Sequence, residues 1–257
     1  DAGNQIEKFG CSLEARYLQI FKGDEIEFPE DGYQGEDIKD LAKEYADLNG
    51  DSLVNVSAEE RKKALVDYAL PKNIKKMQAD MEKYKIFYDK WFFESELHKS
   101  GAVKAVVDLL TEKGLTYEKE GAVWYKNKEV LTQKLLKEGK SQKYIDNLEL
   151  KDDVLIRQNG NPTYFTADIA YHKNKFDRGF TTLIDVWGAD HHGHVMRMKG
   201  AMDAIGYDGD KLNVVLMQLV KLVKDGELVR MSKRTGKAIQ LGDLLDEVPV
   251  DSARFLF

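Results

Sequence analysis

The stretch TTLIDVWGADHHGHVMRMKGAMDAI, residues 181–205, decides the fold. Thr182 to Trp187 is a β-branched, apolar run, and Gly188 ends it. Val195, Met198, Met202 and Ile205 then recur at helical spacing, with Gly206 as the stop. The spacing predicts a strand, a short turn and a helix, with Asp190 as the N-cap. A helical run, ADIAYHKNKF, precedes this unit, and a β-rich run, LNVVLMQLVKLV, follows it. Alternating helices and strands indicate an α/β fold built on a mostly parallel sheet. In such sheets ligands sit beyond the carboxyl ends of the strands, where the first amides of the next helix favour anions.

The turn itself, GADHHGH, holds three of the five histidines of the chain. Two readings follow from it, a metal site and a nucleotide-binding turn. A helix advances ~100° per residue, so His192 and His194 point to nearly opposite sides. Only His191 or Asp190 shares a face with His194. Cysteines are lacking nearby, and so is a glutamate in the His-Glu-x-x-His arrangement. The expectation is therefore no metal, with His192 a bystander.

A second signal is LVRMSKRTGKAIQLG, residues 228–242, which follows the hairpin turn signal KDGE at 224–227. Arg230, Lys233, Arg234 and Lys237 are interleaved with Ser232, Thr235 and Gly236. Clustered cations among small residues suit a polyphosphate, although most charge runs are solvated loops. The stretch is not a P-loop, because Met231 stands where the first glycine is needed.

The rest of the chain sets bounds. Its 257 residues are 42% hydrophobic and 33% charged, as in ordinary globular proteins. No apolar run approaches the ~20 residues that span a bilayer. The single cysteine, Cys11, can form no internal disulfide. A net charge of −6 argues against a protein that coats nucleic acid. Ile38, Leu41, Tyr45 and Leu48 predict one helix, and Ile74, Met77, Met81 and Tyr84 another. Ser57-Ala58-Glu59-Glu60 opens a helix that Pro71 is expected to end. Val103, Val106, Val107 and Leu110 mark a further helix, which stops at Gly114. GAVWYKN and DDVLIRQNGNPTYFT are β-rich, with a charged helical excursion between them. Tyr164 is expected to end a strand, and Asp168 to sit in the first turn of the next helix.

Arg230-Met231-Ser232-Lys233-Arg234 closely resembles the Lys-Met-Ser-Lys-Ser signature of class I aminoacyl-tRNA synthetases. The continuation TGKAIQLGDLLDEV resembles the arginyl-tRNA synthetases in particular. So do DAGNQIEKFG, GYQGEDIKDLAKEY, NPTYFTADIAYH and GADHHGHVMRMKGAM, in order along nearly the whole chain. The resemblance implies a Rossmann-like parallel sheet with helices on both faces, carrying a helical and small β insertion. It also implies ATP-dependent activation of L-arginine, with Mg2+, followed by transfer to tRNA(Arg).

By that resemblance Lys233 stabilises the pyrophosphate leaving group, with Ser232 contacting ATP and Arg230 standing for the usual first lysine. The backbone near Val229 and Met231 would lie by the adenine. Gly188, Asp190 and His191 would meet the adenylate, with His194 supporting them. Glu94, Tyr164 and Asp168, together with His191, would bind arginine. A guanidinium matches paired carboxylate oxygens, which suits Glu94 and Asp168. Taken without the resemblance, the same residues read as a surface acid, a core ring and a helix N-terminal acid.

The family's His-x-Gly-His signature belongs upstream of this chain. His191-His192-Gly193-His194 matches its pattern but lies in a different block. The resemblance thus implies a partial catalytic domain, inactive by itself. About 25–150 would be the insertion, about 151–245 the second half of the nucleotide fold, and 246–257 the start of a helical anticodon-binding domain. A cytoplasmic monomer without a membrane partner is expected. Competing readings are another class I synthetase, a non-catalytic nucleotide-fold module and a histidine-based metallohydrolase.

Overall fold

The computed structural model describes residues 3–218, 220, 223–224, 227–228 and 240–256. It forms two compact units, Asp1–Phe92 with Val220–Phe257, and Phe93–Leu219.

The first unit is helical. Helices α1 (Asn4–Lys22), α2 (Glu36–Asn49) and α3 (Ala58–Lys83) pack together. Phe9, Leu13 and Tyr17 fall on one face of α1 and meet Ile38, Leu41, Ala42 and Ala46 of α2 and Leu65 and Ala69 of α3. The Tyr17 hydroxyl is buried and satisfied. It donates to Gly50 O at 2.8 Å and accepts from Leu53 N at 3.1 Å. Arg61 donates to Leu53 O at 3.2 Å and Val56 O at 2.8 Å, so the loop between α2 and α3 is held from two sides. Leu48 and Met77, expected on apolar faces, are exposed instead. Ala42 and Ala46 supply the close α2 contact in place of Leu48.

Ser57 caps α3 by accepting from Glu60 N–H at 3.2 Å. Pro71 does not end this helix, which runs 26 residues straight through it. Proline at an interior position deletes one i→i−4 bond. Tertiary docking on both sides of Pro71 overrides that local rule. Arg61, Leu65 and Ala69 are buried before it. Beyond it the helix meets α10 (Leu241–Glu247), where Gly242 passes against Asp80 and Lys83 pairs with Asp246 at 2.5 Å. Past the end of α3, Arg254 of α11 (Val250–Leu256) donates to Tyr84 O at 2.9 Å. Strands β6 (Val223–Lys224) and β7 (Glu227–Leu228) pair antiparallel, and the two residues between them lie outside the described residues.

The second unit positions the site. Short α4 (Glu94–Lys99) and α5 (Ala102–Glu112) lead into the antiparallel strands β1 (Thr116–Lys119) and β2 (Ala122–Tyr125). Glu120 and Gly121, both at positive φ, make the two-residue turn between them. Helices α6 (Asn127–Lys137) and α7 (Gln142–Asp146) account for the charged excursion, and β3 (Asp153–Ile156) returns to pair with β2. Then come α8 (Tyr164–Asp177), β4 (Leu183–Gly188), α9 (His192–Ile205) and β5 (Leu212–Met217). Strands β4 and β5 are parallel, from Leu183↔Leu212 to Gly188↔Met217.

Met198, Met202 and Ile205 are buried as the stripe on α9 requires. Helix α6 seats on α9 at Gly200, where an added Cβ would lie 2.6 Å from Leu131 Cδ2. One face of the parallel pair carries buried Leu183, Asp185 and Leu212. The other carries Ile184, Val186, Val215 and Met217, at 68%, 67%, 45% and 46% exposure.

Replacing Pro71 with Ala restores a donor in a helix that is already continuous. Pro71→Ala is expected to raise stability by about 1–3 kcal/mol, and thermal or denaturant unfolding measures it. An unchanged or lowered midpoint would show that the proline costs the helix nothing.

Candidate active site

Strand β4 delivers its carboxyl end to a single 3-10 turn, Ala189–His191, before α9 begins. Asp190 is therefore not the N-cap. The extra turn moves the helix start on, His191 takes the N-cap position, and no side chain caps there. The Asp190 carboxylate folds back over Gly188, so a Cβ at 188 would lie 2.5 Å from Asp190 Oδ1. Gly188 keeps that approach open. Asp190 and His191 stay largely exposed, with Asp190 Oδ2 and His191 Nε2 3.8 Å apart.

Helix α8 brings the second group. Thr163 precedes it, donating through Oγ1 to Val154 O at 2.7 Å, and Thr166 donates to Leu155 O at 2.8 Å. These two bonds to β3 start the helix at Tyr164, so Tyr164 opens a helix and does not end a strand. Asp168 lies one full turn further on, on the same face. Tyr164 is 55% exposed, and the Asp168 carboxylate is half-exposed. His194, in the first turn of α9, places Nε2 3.3 Å from Asp168 Oδ2. That nitrogen is buried and makes no hydrogen bond.

The rings around His194 form one cluster. Phe165 meets it edge-on at 5.5 Å and Trp187 lies tilted at 5.4 Å. Trp187 also meets His191 at 6.5 Å and His172 at 6.2 Å. Arg197 stacks over Phe165 at 4.9 Å and forks onto Asp153, tying α9 to β3. Glu94 stands apart from Asp168 as a contact. It opens α4, which packs on α8, and its Oε1 lies 3.3 Å from His98 Nε2.

The structure thus pairs Asp168 with His194 and Asp190 with His191, and sets Tyr164 on the face of Asp168. His192 is exposed. Among the described residues, no three His, Cys, Asp or Glu side chains gather closely enough to hold a metal ion. Val229, Arg230, Met231, Ser232 and Lys233 lie outside the described residues.

Sequence reasoning missed a buried array beneath this site. His172 Nδ1 lies 2.7 Å from the Asp168 carbonyl, which can only accept, so Nδ1–H donates. His172 Nε2 meets Asp185 Oδ2, and Lys175 Nζ meets Asp185 Oδ1 at 2.6 Å. The usable signal was an aspartate inside the apolar run TTLIDVW. Burial alone would raise the Asp185 carboxyl, but hydrogen bonds from His172 and Lys175 outweigh it and hold the group below the usual carboxylate range.

The end of a parallel strand, a glycine with no side chain in the way, and the start of a helix with an acid and a histidine beside it form the strand-to-helix turn of an open α/β domain, the place where such folds take ligands. A family model described as "tRNA synthetases class I (R), catalytic domain" matches residues 36–256, and the chain belongs to that family. The chain is 58% identical over 258 residues to the arginine–tRNA ligase of Caldanaerobacter subterraneus subsp. tengcongensis, and 55% over 259 residues to that of Ruminiclostridium cellulolyticum. It aligns over 100% of its own length but spans only 43% of each of those proteins. A solved Campylobacter jejuni chain described as an arginyl tRNA synthetase superimposes with a TM-score of 0.79 at 36% identity, covering 99% of this chain and 51% of that one. The Thermus thermophilus arginyl-tRNA synthetase, at 18% identity, shares the fold with a TM-score of 0.58 over 91% of this chain and 43% of that one. The α/β nucleotide fold expected from the sequence is thereby established. No helix among the described residues is long and apolar enough to cross a membrane.

The low Asp185 carboxyl has a definite sign. A carboxylate whose folded pKa lies below its unfolded value stabilises the fold above about pH 4, and this is lost as pH falls through the folded value. The Tm gap between wild type and Asp185→Asn should therefore be widest near neutrality and narrow on acidification below about pH 4. A gap independent of pH from 2 to 7 would contradict this, and melting curves across that range of about five units decide it.

Proposed function

We propose that the protein carrying this chain is an arginine–tRNA ligase. It activates L-arginine with ATP, giving arginyl-adenylate and pyrophosphate, and then esterifies tRNA(Arg). The supporting observation is the half-exposed Asp168 carboxylate, one turn from Tyr164 and facing the first turn of α9. An arginine held there presents its own carboxylate to the turn Gly188–His191, where ATP meets the helix amides. Membership of the family and two relatives named arginine–tRNA ligase support the same reading.

In this reading Asp168 and Glu94 take the guanidinium, Tyr164 flattens against it, and His191 borders the amino acid. Gly188, Asp190 and His191 contact the ATP ribose and adenylate, with Val229 and Met231 offering backbone to the adenine. Lys233, Ser232 and Arg230 meet the phosphates of ATP, which enters as its Mg2+ complex. Attack of the arginine carboxylate on the α-phosphorus builds charge on the departing pyrophosphate. A lysine placed there stabilises the transition state more than the ground state. Residues about 25–150 would be an insertion, about 151–245 the second half of the nucleotide fold, and 246–257 the start of an anticodon-binding domain. The enzyme acts as a cytoplasmic monomer.

The test is ATP–pyrophosphate exchange by the full-length protein with tRNA(Arg) present. Arginine should drive exchange, and lysine and glutamine should not. Equal exchange with lysine would sink the arginine assignment. Lys233→Ala should lower kcat by about tenfold or more, and an unchanged rate removes Lys233 from its role. Asp168→Asn should raise KM for arginine by about tenfold or more with KM for ATP little changed.

A further inference from the structure

The reaction as described makes no use of the charged array under the site. Asp185 is 7% exposed, on the same side of β4 as Leu183 and Trp187. An aliphatic side chain would fill that position with less desolvation, because buried ion pairs are often no more stable than well-packed apolar groups. A carboxylate adds direction. Apolar packing tolerates small rotations of a helix, whereas two hydrogen bonds from that helix to one carboxylate do not.

The His172 imidazole bonds both within its own helix α8 and across to β4. Its Nδ1–H holds the Asp168 carbonyl at 2.7 Å, and its Nε2 reaches Asp185 on β4. Lys175, one turn along α8, holds the other Asp185 oxygen at 2.6 Å. His172 is 3% exposed, and Trp187 closes its flank while touching His194, the residue that faces the Asp168 carboxylate. The residue that ends β4, Gly188, begins the turn with Asp190 and His191. A rotation of α8 on β4 therefore displaces Asp168 from that turn.

We propose that His172, anchored by Asp185 and Lys175, is a positioning residue for Asp168: it fixes the rotation of α8 on β4, and so the place of the arginine-binding carboxylate relative to the adenylate turn. The proposal rests on the arginine reading of Asp168.

The test uses the full-length enzyme with tRNA(Arg), measuring KM for arginine, KM for ATP, kcat and Tm. His172→Ala should raise KM for arginine by about tenfold while KM for ATP moves less than about twofold. His172→Gln, whose amide nitrogen can still donate to Asp185, should recover most of that loss. Lys175→Met, which removes one of the two bonds to Asp185, should give an intermediate rise and serves if His172→Ala does not fold. In an Asp168→Asn background, His172→Ala should add less than about twofold to KM for arginine, because both changes act through one carboxylate. The proposal is overturned if arginine KM is unchanged in Lys175→Met, and in His172→Ala where it folds, while Tm falls. Arginine and ATP KM values that rise together overturn it too, as does full additivity with Asp168→Asn. An Asp168→Asn enzyme with unaltered arginine KM is a separate outcome, which overturns the arginine reading itself.

Discussion

The parallel pairing of β4 with β5 governs the second unit. Parallel neighbours cannot be joined by a tight turn, so the chain must cross over through a full helix. That helix is α9, and the crossover sets its N-terminus beside the carboxyl ends of both strands. Gly188, Asp190, His191 and His194 all stand at this end because of it. Helix α8 then comes to the same end through the β3 bonds of Thr163 and Thr166, and it brings Asp168 with it. The site is a by-product of strand direction before it is a collection of side chains.

Buried polar groups in the two units do different kinds of work. In the first unit Tyr17 and Arg61 each satisfy backbone carbonyls of one loop, Gly50, Leu53 and Val56, as the helical core closes. In the second, the buried groups run between elements. Arg197 joins α9 to β3, and His172 joins α8 to β4. Loop closure needs only that donors find acceptors. Joining elements also specifies an angle, and a site built from three elements needs angles.

Much of this was legible in residue order. The run TTLIDVW and the stripe Val195, Met198, Met202, Ile205 carry their periods openly, and the structure realises both as β4 and α9. Other features depend on contacts between distant residues, which no local pattern encodes. Pro71 obeys a local rule until α10 and the core hold the helix on either side of it. β1 is a polar tetrapeptide, Thr116–Lys119, that becomes a strand by pairing with β2 across the Glu120-Gly121 turn. Tyr164 looked like the end of a strand because TYF is β-rich, but Thr163 and Thr166 spend their hydroxyls on β3 and turn the chain into a helix. The Asp168–His194 pair was half-visible as two motifs in separate blocks. The His172–Asp185 pair was not, since nothing in either motif points at the other.

The uncovered side of the parallel pair bears on the thermodynamics of the chain. Ile184, Val186, Val215 and Met217 already face water in the native state. Unfolding therefore hydrates less new apolar surface there than it would for a sheet packed on both faces. Because hydration of apolar area dominates the heat-capacity increment of unfolding, these four side chains add little to that increment in the chain taken by itself. Covering that face would bury all four at once and so sharpen the curvature of the stability curve.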